Sequence, residues 1–331
     1  MIKVNLALFC AVAALTYSLA SASAASPVAV TGYIEQGSSP GFINRSAAAL
    51  TTVAIDGVNL VSAGDRVTGV DGSMRTLLAR THALGLRGEF LVGNFDNSIN
   101  DFSPRFAAAL LQSPVNRQKV ATQLARMVVL ERWDGITVDL ESLTAHDAVG
   151  LVDFLTVLRS ALPARSSLSV DISAETSLSD YAVNGYDLSQ IGAVVDRVVL
   201  MAYDQHGPWS GPGPIGALNW QRASLKVMLS QVSASKVDLG VAGYGYTWPK
   251  APRLHQGVSI SDVLARRMVR LDHARAQWES ASGEWTARLA NGTRLWWSDG
   301  RSYALRRAMA SSMGLHGIAI WQLASADALV R

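Results

Sequence analysis

Cysteine is almost absent: Cys10 is the only one in 331 residues. That excludes a disulfide framework, and it leaves no thiolate pair for a metal or a redox site. Charge is also sparse, at 17% of residues with a net +3. So small an excess does not point to nucleic acid, and no run of Lys or Arg interleaved with aromatics is present. The apolar run Leu6 to Leu19 is shorter than the roughly 18–20 residues a membrane span needs. It follows Lys3 and precedes the small-residue site Ala22-Ser23-Ala24. That order is the pattern of an export signal, expected to occupy residues 1–24 and to be cut before Ala25. A lipoprotein signal would place small residues ahead of Cys10, where Phe9 stands. Cleavage would leave no cysteine and no membrane span, with the protein periplasmic or extracellular. No repeat of 20–50 residues is visible, which argues against a solenoid.

What is present is a globular share of apolar residues, 49%, arranged in alternating short strands and amphipathic helical stretches. The expected strands are 29–34, 50–57, 87–95, 135–141, 167–175, 194–204, 237–246 and 316–323. Helical spacing of i, i+3, i+4 and i+7 runs through 115–130, 145–162 and 220–232. Eight strands separated by helices give α/β as the fold class and a (β/α)8 TIM barrel over residues 25–331 as the architecture. A doubly wound sheet is the competing topology, but no GxGxxG follows the first strand. The rhythm breaks between about 250 and 299, where Asn291-Gly292 separates two short alternating runs. That is a hairpin signal, and it predicts a small α+β insertion after strand seven rather than a long bare loop.

The stretch WDGITVDLES, residues 133 to 142, carries the chemistry. Ile136, Val138 and Leu140 share one face of the expected strand, and Thr137, Asp139 and Glu141 share the other. In a barrel the second face points inward, with Glu141 nearest the C-terminal rim where barrel active sites are built. Unpaired buried carboxylates are costly, so such acids are paired, protonated or functional. Two close acids raise one another's pKa, which supplies the protonated form a general acid needs. A salt-bridged pair at a strand end would show the same spacing. Tyr203 and Asp204 end the sixth strand, Tyr244 and Trp248 the seventh, and Trp321 lies on the eighth. Glu35 and Asn94 end the first and third. Trp209 sits in a loop with three prolines. Aromatic rings at a rim suit sugars, although each tryptophan could equally be core packing.

DGITVDLE (134–141) resembles the DGxDxDxE strand of family 18 glycoside hydrolases, and MAYD (201–204) resembles that family's sixth-strand motif. GYGYTW (243–248) and HGIAIWQL (316–323) are similar to its seventh and eighth strands. The loop HGPWSGPGPIGALNW is similar to the bacterial branch that holds spore-cortex and cell-wall N-acetylglucosaminidases. The resemblance implies a retaining, substrate-assisted hydrolysis of β-linked N-acetylglucosamine polymers, such as peptidoglycan or chitin. Glu141 would be the acid/base, Asp139 would orient the substrate's acetamido group, and Tyr203 would hold its oxygen. Asp204, Trp321, Tyr244, Trp209 and Thr137 would serve substrate binding, with no metal and no cofactor implied. One departure is Thr137, where the family has aspartate; it is expected to hydrogen-bond Asp139. Two other readings remain: a sugar-binding barrel without catalysis, and a metal-dependent phosphodiesterase using Asp139, Glu141 and His206.

Overall fold

The computed structural model describes residues 28–61, 63–250 and 257–330, so the expected export signal lies outside the described residues. Eight parallel strands close into a barrel. They are β1 (Ala29–Glu35), β2 (Thr52–Asn59), β3 (Arg87–Gly93), β4 (Gly135–Asp139), β5 (Ser167–Ser173), β6 (Arg197–Met201), β7 (Val237–Ala242) and β8 (Gly317–Trp321). Each pairs with its chain neighbour, and β8 returns to β1 through Ala29 opposite Gly317. The predicted barrel is therefore the observed one.

Period-2 alternation decides what each strand face meets. Ile136 and Val138 of β4, Leu168, Val170 and Ile172 of β5, and Val198 and Leu200 of β6 point outward and are buried in one large core. That core is completed by helices such as Pro114–Glu131, Ala148–Ala161 and Leu218–Met228. The helix starts follow local chemistry. Ser113 caps the first of these by accepting from the Asn116 amide, and Pro114 fills the first turn, where no amide donor is required.

Several strands are shorter than the sequence pattern predicts. The sixth begins at Arg197 rather than 194, because Leu188–Val194 is helical and its apolar end packs on the core. The seventh ends at Ala242. The Gly243 amide donates to the Trp321 carbonyl at 2.7 Å, and a second strand, Gly245–Trp248, leaves the barrel. That strand enters a five-stranded antiparallel sheet with Val258–Ile260, Arg294–Trp297, Glu284–Arg288 and Gln277–Glu279. The predicted hairpin at Asn291-Gly292 joins two of these strands. Gly292 takes φ +87°, a left-handed turn position suited to glycine.

The insertion is joined to the barrel by a buried ion pair. Glu284 accepts from the amides of Ile215 (2.7 Å) and Gly216 (2.9 Å) and pairs with Arg306 at 3.1 Å. Arg306, on the helix Gly300–Ser312, also donates to the Gly283 carbonyl at 2.9 Å. One charge pair thus fixes the insertion, the loop after β6 and the last helix together. Removing one partner leaves the other charge buried and uncompensated. Glu284→Ala is therefore expected to lower stability by about 3–5 kcal/mol in urea unfolding. A loss below about 1 kcal/mol would show that the pair does not hold this junction.

Candidate active site

The barrel interior carries a polar layer at its floor and a group of acids towards its rim. At the floor, Arg197 of β6 donates to both carboxylate oxygens of Glu89, one at 2.6 Å, and to Ser169 Oγ at 2.7 Å. Ser167 Oγ donates to the same carboxylate at 2.7 Å. Thr137 joins this layer: its hydroxyl donates to Glu89 at 3.3 Å. The expected bond from Thr137 to Asp139 is not made. The Glu89 carboxylate below offers the nearer acceptor, and Thr137 is buried outside the cleft rather than lining it.

One strand step higher stand Asp139 on β4 and Asp171 on β5. Thr137 pairs with Ser169 and Val138 with Val170 in the β4–β5 register. Residues 139 and 171 follow on neighbouring strands with the same inward phase. Tyr33 on β1 donates its hydroxyl to Asp171 at 2.8 Å. Asp139 is 6% exposed, and its Oδ1 has no hydrogen-bond partner among the described residues. Burial pushes its carboxyl well up, reinforced by Glu141, Asp171 and Asp56. Burial raises Asp171 as well, and the Tyr33 bond opposes the rise.

Glu141 completes the series just beyond the end of β4. Its backbone is clamped by Asn94, whose Oδ1 accepts from the Glu141 amide and whose Nδ2 donates to the Glu141 carbonyl, both at 2.9 Å. The next residue, Ser142, takes φ +57°. The Glu141 carboxyl is pushed up to about 7, first by burial and then by the charges of Asp204 and Asp101. It is therefore a neutral acid through most of the range below neutrality.

These acids open into a cleft of about 620 Å³ at the C-terminal end of the barrel. Tyr203, Asp204, Trp209 and Trp321 also line it, together with Phe95 and Phe102 from the short hairpin after β3. Tyr203 is a neutral phenol, its pKa raised well up by burial and by Asp171 and Asp139 nearby. Asp204 accepts from both Tyr244 and Tyr246, the latter at 3.0 Å. Tyr244 thus stands behind Asp204 instead of lining the cleft. Trp321 packs on Tyr33 with ring centroids 5.6 Å apart and sits over the apolar middle of the barrel. Its peptide bond to Gln322 is cis. Trp209, 47% exposed, leans its ring edge-on to Tyr246 at the mouth.

His206 does not join the acids. Its Nδ1 lies 3.0 Å from the Pro214 carbonyl, which can only accept, so that nitrogen carries the proton. No group of three His, Cys, Asp or Glu side chains converges in metal-binding fashion among the described residues. Sequence reasoning missed Asp171, Tyr33 and Asp56, and placed Asn94 only as a strand end. Asp171 carried a usable signal: in SLSVDIS it alternates with Leu168, Val170 and Ile172, as Asp139 alternates with its own neighbours.

The raised Glu141 carboxyl has a consequence for stability. Its ordinary value is 4.5 and its folded value about 7. The favourable contribution of the neutral acid is complete below about 4.5 and is lost as pH rises through about 7. Glu141→Gln removes that loss. The variant is expected to match wild type in unfolding free energy near pH 3.5 and to exceed it near pH 8, by about 1–3 kcal/mol. An equal difference at both pH values would refute the assignment.

A family-wide profile described as "Glycosyl hydrolases family 18" matches residues 92–327. A cortical fragment-lytic enzyme of Bacillus anthracis is 25% identical over 244 residues, covering 70% of this chain and 56% of that protein. The chain therefore spans little more than half the length of that relative. The crystal structure of a chitinase from Chromobacterium violaceum ATCC 12472 superposes with a TM-score of 0.82 at 26% identity, covering 91% of this chain and 95% of the other. The spore cortex-lytic enzyme SleL of Bacillus cereus shares the fold, with a TM-score of 0.81 at 20% identity over 90% of this chain and 71% of that one.

Proposed function

The chain belongs to glycosyl hydrolases family 18, and from that premise we propose that it is an exported, retaining glycosidase of β-linked N-acetylglucosamine polymers, working by substrate assistance. The observation that carries the reading is the Glu141 carboxyl. It is pushed up to about 7 at the mouth of a cleft, with Asp139 directly behind it on the same strand face. A general acid near neutrality needs this value.

In the proposed step Glu141 gives its proton to the glycosidic oxygen as the bond from that oxygen to the anomeric carbon breaks. The carbonyl oxygen of the substrate's 2-acetamido group bonds to the anomeric carbon from the opposite face and forms an oxazolinium ion. Asp139 accepts the acetamido N–H, and the Tyr203 hydroxyl donates to the acetamido oxygen. Water, giving its proton to the Glu141 carboxylate, then opens the ring with net retention. Substrate assistance fits the electrostatics. Burial raises both acids behind Glu141, so the two are not ionised together and fewer carboxylates are available to attack the sugar. Trp321 would floor the subsite for the N-acetylated sugar, Asp204 would help bind that distorted sugar, and Trp209 would contact the flanking chain.

The test is mass spectrometry of products from purified peptidoglycan and, separately, from chitin oligosaccharides. Wild type is expected to release fragments ending in reducing N-acetylglucosamine. Glu141→Gln is expected to lose at least a thousandfold in turnover and to keep substrate binding; near-normal turnover in it would sink the mechanism. Asp139→Asn is expected to cut kcat about a hundredfold or more with a smaller change in KM, on the scale of losing one aligned polar group. Sugar binding without fragments would favour a binding-only barrel. Export rests on residues 1–24, and amino-terminal sequencing of the exported protein starting at Ala25 would support it.

A further inference from the structure

The floor and middle layers of the barrel raise a question that the glycosidase reading leaves open. Thr137 stands where the family pattern has an acid, and it is turned down towards Glu89. Asp139 is thus left with a buried, unpartnered Oδ1. An orphaned buried carboxylate oxygen is costly, and nature leaves few of them. Something must supply a proton or a donor there.

The neighbouring strand supplies it. Asp171 follows Val170 as Asp139 follows Val138, and those two valines are paired. Adjacent strands lie roughly 4.8 Å apart, and side chains in the same phase share one face. Both carboxyls line the cleft, and Asp171 is fixed from the far side by the Tyr33 hydroxyl at 2.8 Å. We propose that Asp171 is a positioning residue for the reaction: it shares one proton with Asp139, a role that position 137 does not fill in this chain. With that proton on Asp171, Asp139 is free to accept the acetamido N–H as a carboxylate, and Asp171 donates to its unpartnered oxygen. No further proton is needed. The proposal rests on the glycosidase reading for its catalytic meaning, but the sharing itself is a property of the resting protein.

The surroundings support one proton for two acids. From β1 comes the Tyr33 donor, and from the β4 strand face come Asp139 and Glu141. From β3 and β6 come Glu89 and Arg197, which spend their charges largely on each other. Tyr203 and Tyr186 approach as neutral phenols. Asp56 on β2 adds a further acid, so these neighbours bring no unpaired cation to the pair, and two ionised carboxylates side by side are disfavoured.

Two variants and two readouts test this. Asp171→Asn replaces the protonated acid with a group of the same shape, so folding is expected to survive. While the proton is shared, Asp139 keeps part of it until the second proton leaves the pair; Asp171→Asn abolishes that second step, so Asp139 ionises in the first alone. Asp171→Asn keeps a neutral, donating group beside Asp139, so its kcat on a chitin oligosaccharide is expected to stay within about threefold of wild type. Asp171→Ala removes the donor too, and its kcat is expected to fall tenfold or more with KM changing less than threefold. The second readout needs no activity: carbon-13 titration of the aspartate carboxyls, with Asp139 assigned from Asp139→Asn. In Asp171→Asn the Asp139 midpoint is expected to fall by at least about one pH unit. If wild type cleaves nothing, the glycosidase reading fails by itself and this titration still decides the sharing. An Asp139 midpoint that stays in place, or an unchanged kcat in Asp171→Ala, would overturn the proposal.

Discussion

The interior of this barrel is a stack of carboxyl groups with too few cations to balance them, and the rest of the site depends on how that imbalance is settled. Burying a lone charge is prohibitive, so each acid must be paired, hydrogen-bonded or protonated. Glu89 at the floor takes the first course with Arg197. Asp139, Asp171 and Glu141 above it all hold their protons more tightly than ordinary acids, their carboxyls raised by burial before any other cause. A scaffold that keeps carboxylic acids neutral near pH 7 is what acid catalysis of glycoside cleavage requires. The same feature makes the protein's stability depend on pH in the direction of an acid optimum.

Rigid supports hold this stack in place. Asn94 binds both backbone groups of Glu141, so the acid's position is set by β3 as much as by β4. Asp204 is held by Tyr246, on the strand that leaves the barrel for the insertion, and by Tyr244 just before it. The insertion is in turn fixed by Glu284 and Arg306 to the loop that carries Trp209. Cleft shape and the placement of Asp204 are therefore coupled to a buried ion pair outside the barrel wall.

Much of this was legible from periodicity. Alternation in GITVDLE separated the core-facing residues from the acids, and eight such strands separated by helices specified a closed barrel. Asn291-Gly292 announced the hairpin of the insertion. What was not legible was long-range pairing. Thr137 was expected to serve Asp139, but its partner is Glu89, which is presented by a salt bridge to Arg197, 108 residues away in the chain. The Asn94 clamp on Glu141 spans 47 residues, and no local pattern encodes it. The early end of β7 follows from a backbone bond to Trp321 on β8. Asp171 is the instructive case, since it shows the same alternation as Asp139 and differs only in lying on a strand without a familiar motif.

The most direct test of the account is the configuration of the first product formed. Proton NMR of a chitin oligosaccharide mixed with the enzyme resolves the two anomers before they interconvert. Substrate assistance with Glu141 as both acid and base predicts that the β anomer accumulates first, because the configuration is retained. An initial α anomer would mean direct attack by water, and it would contradict the assignment of the acetamido group as nucleophile.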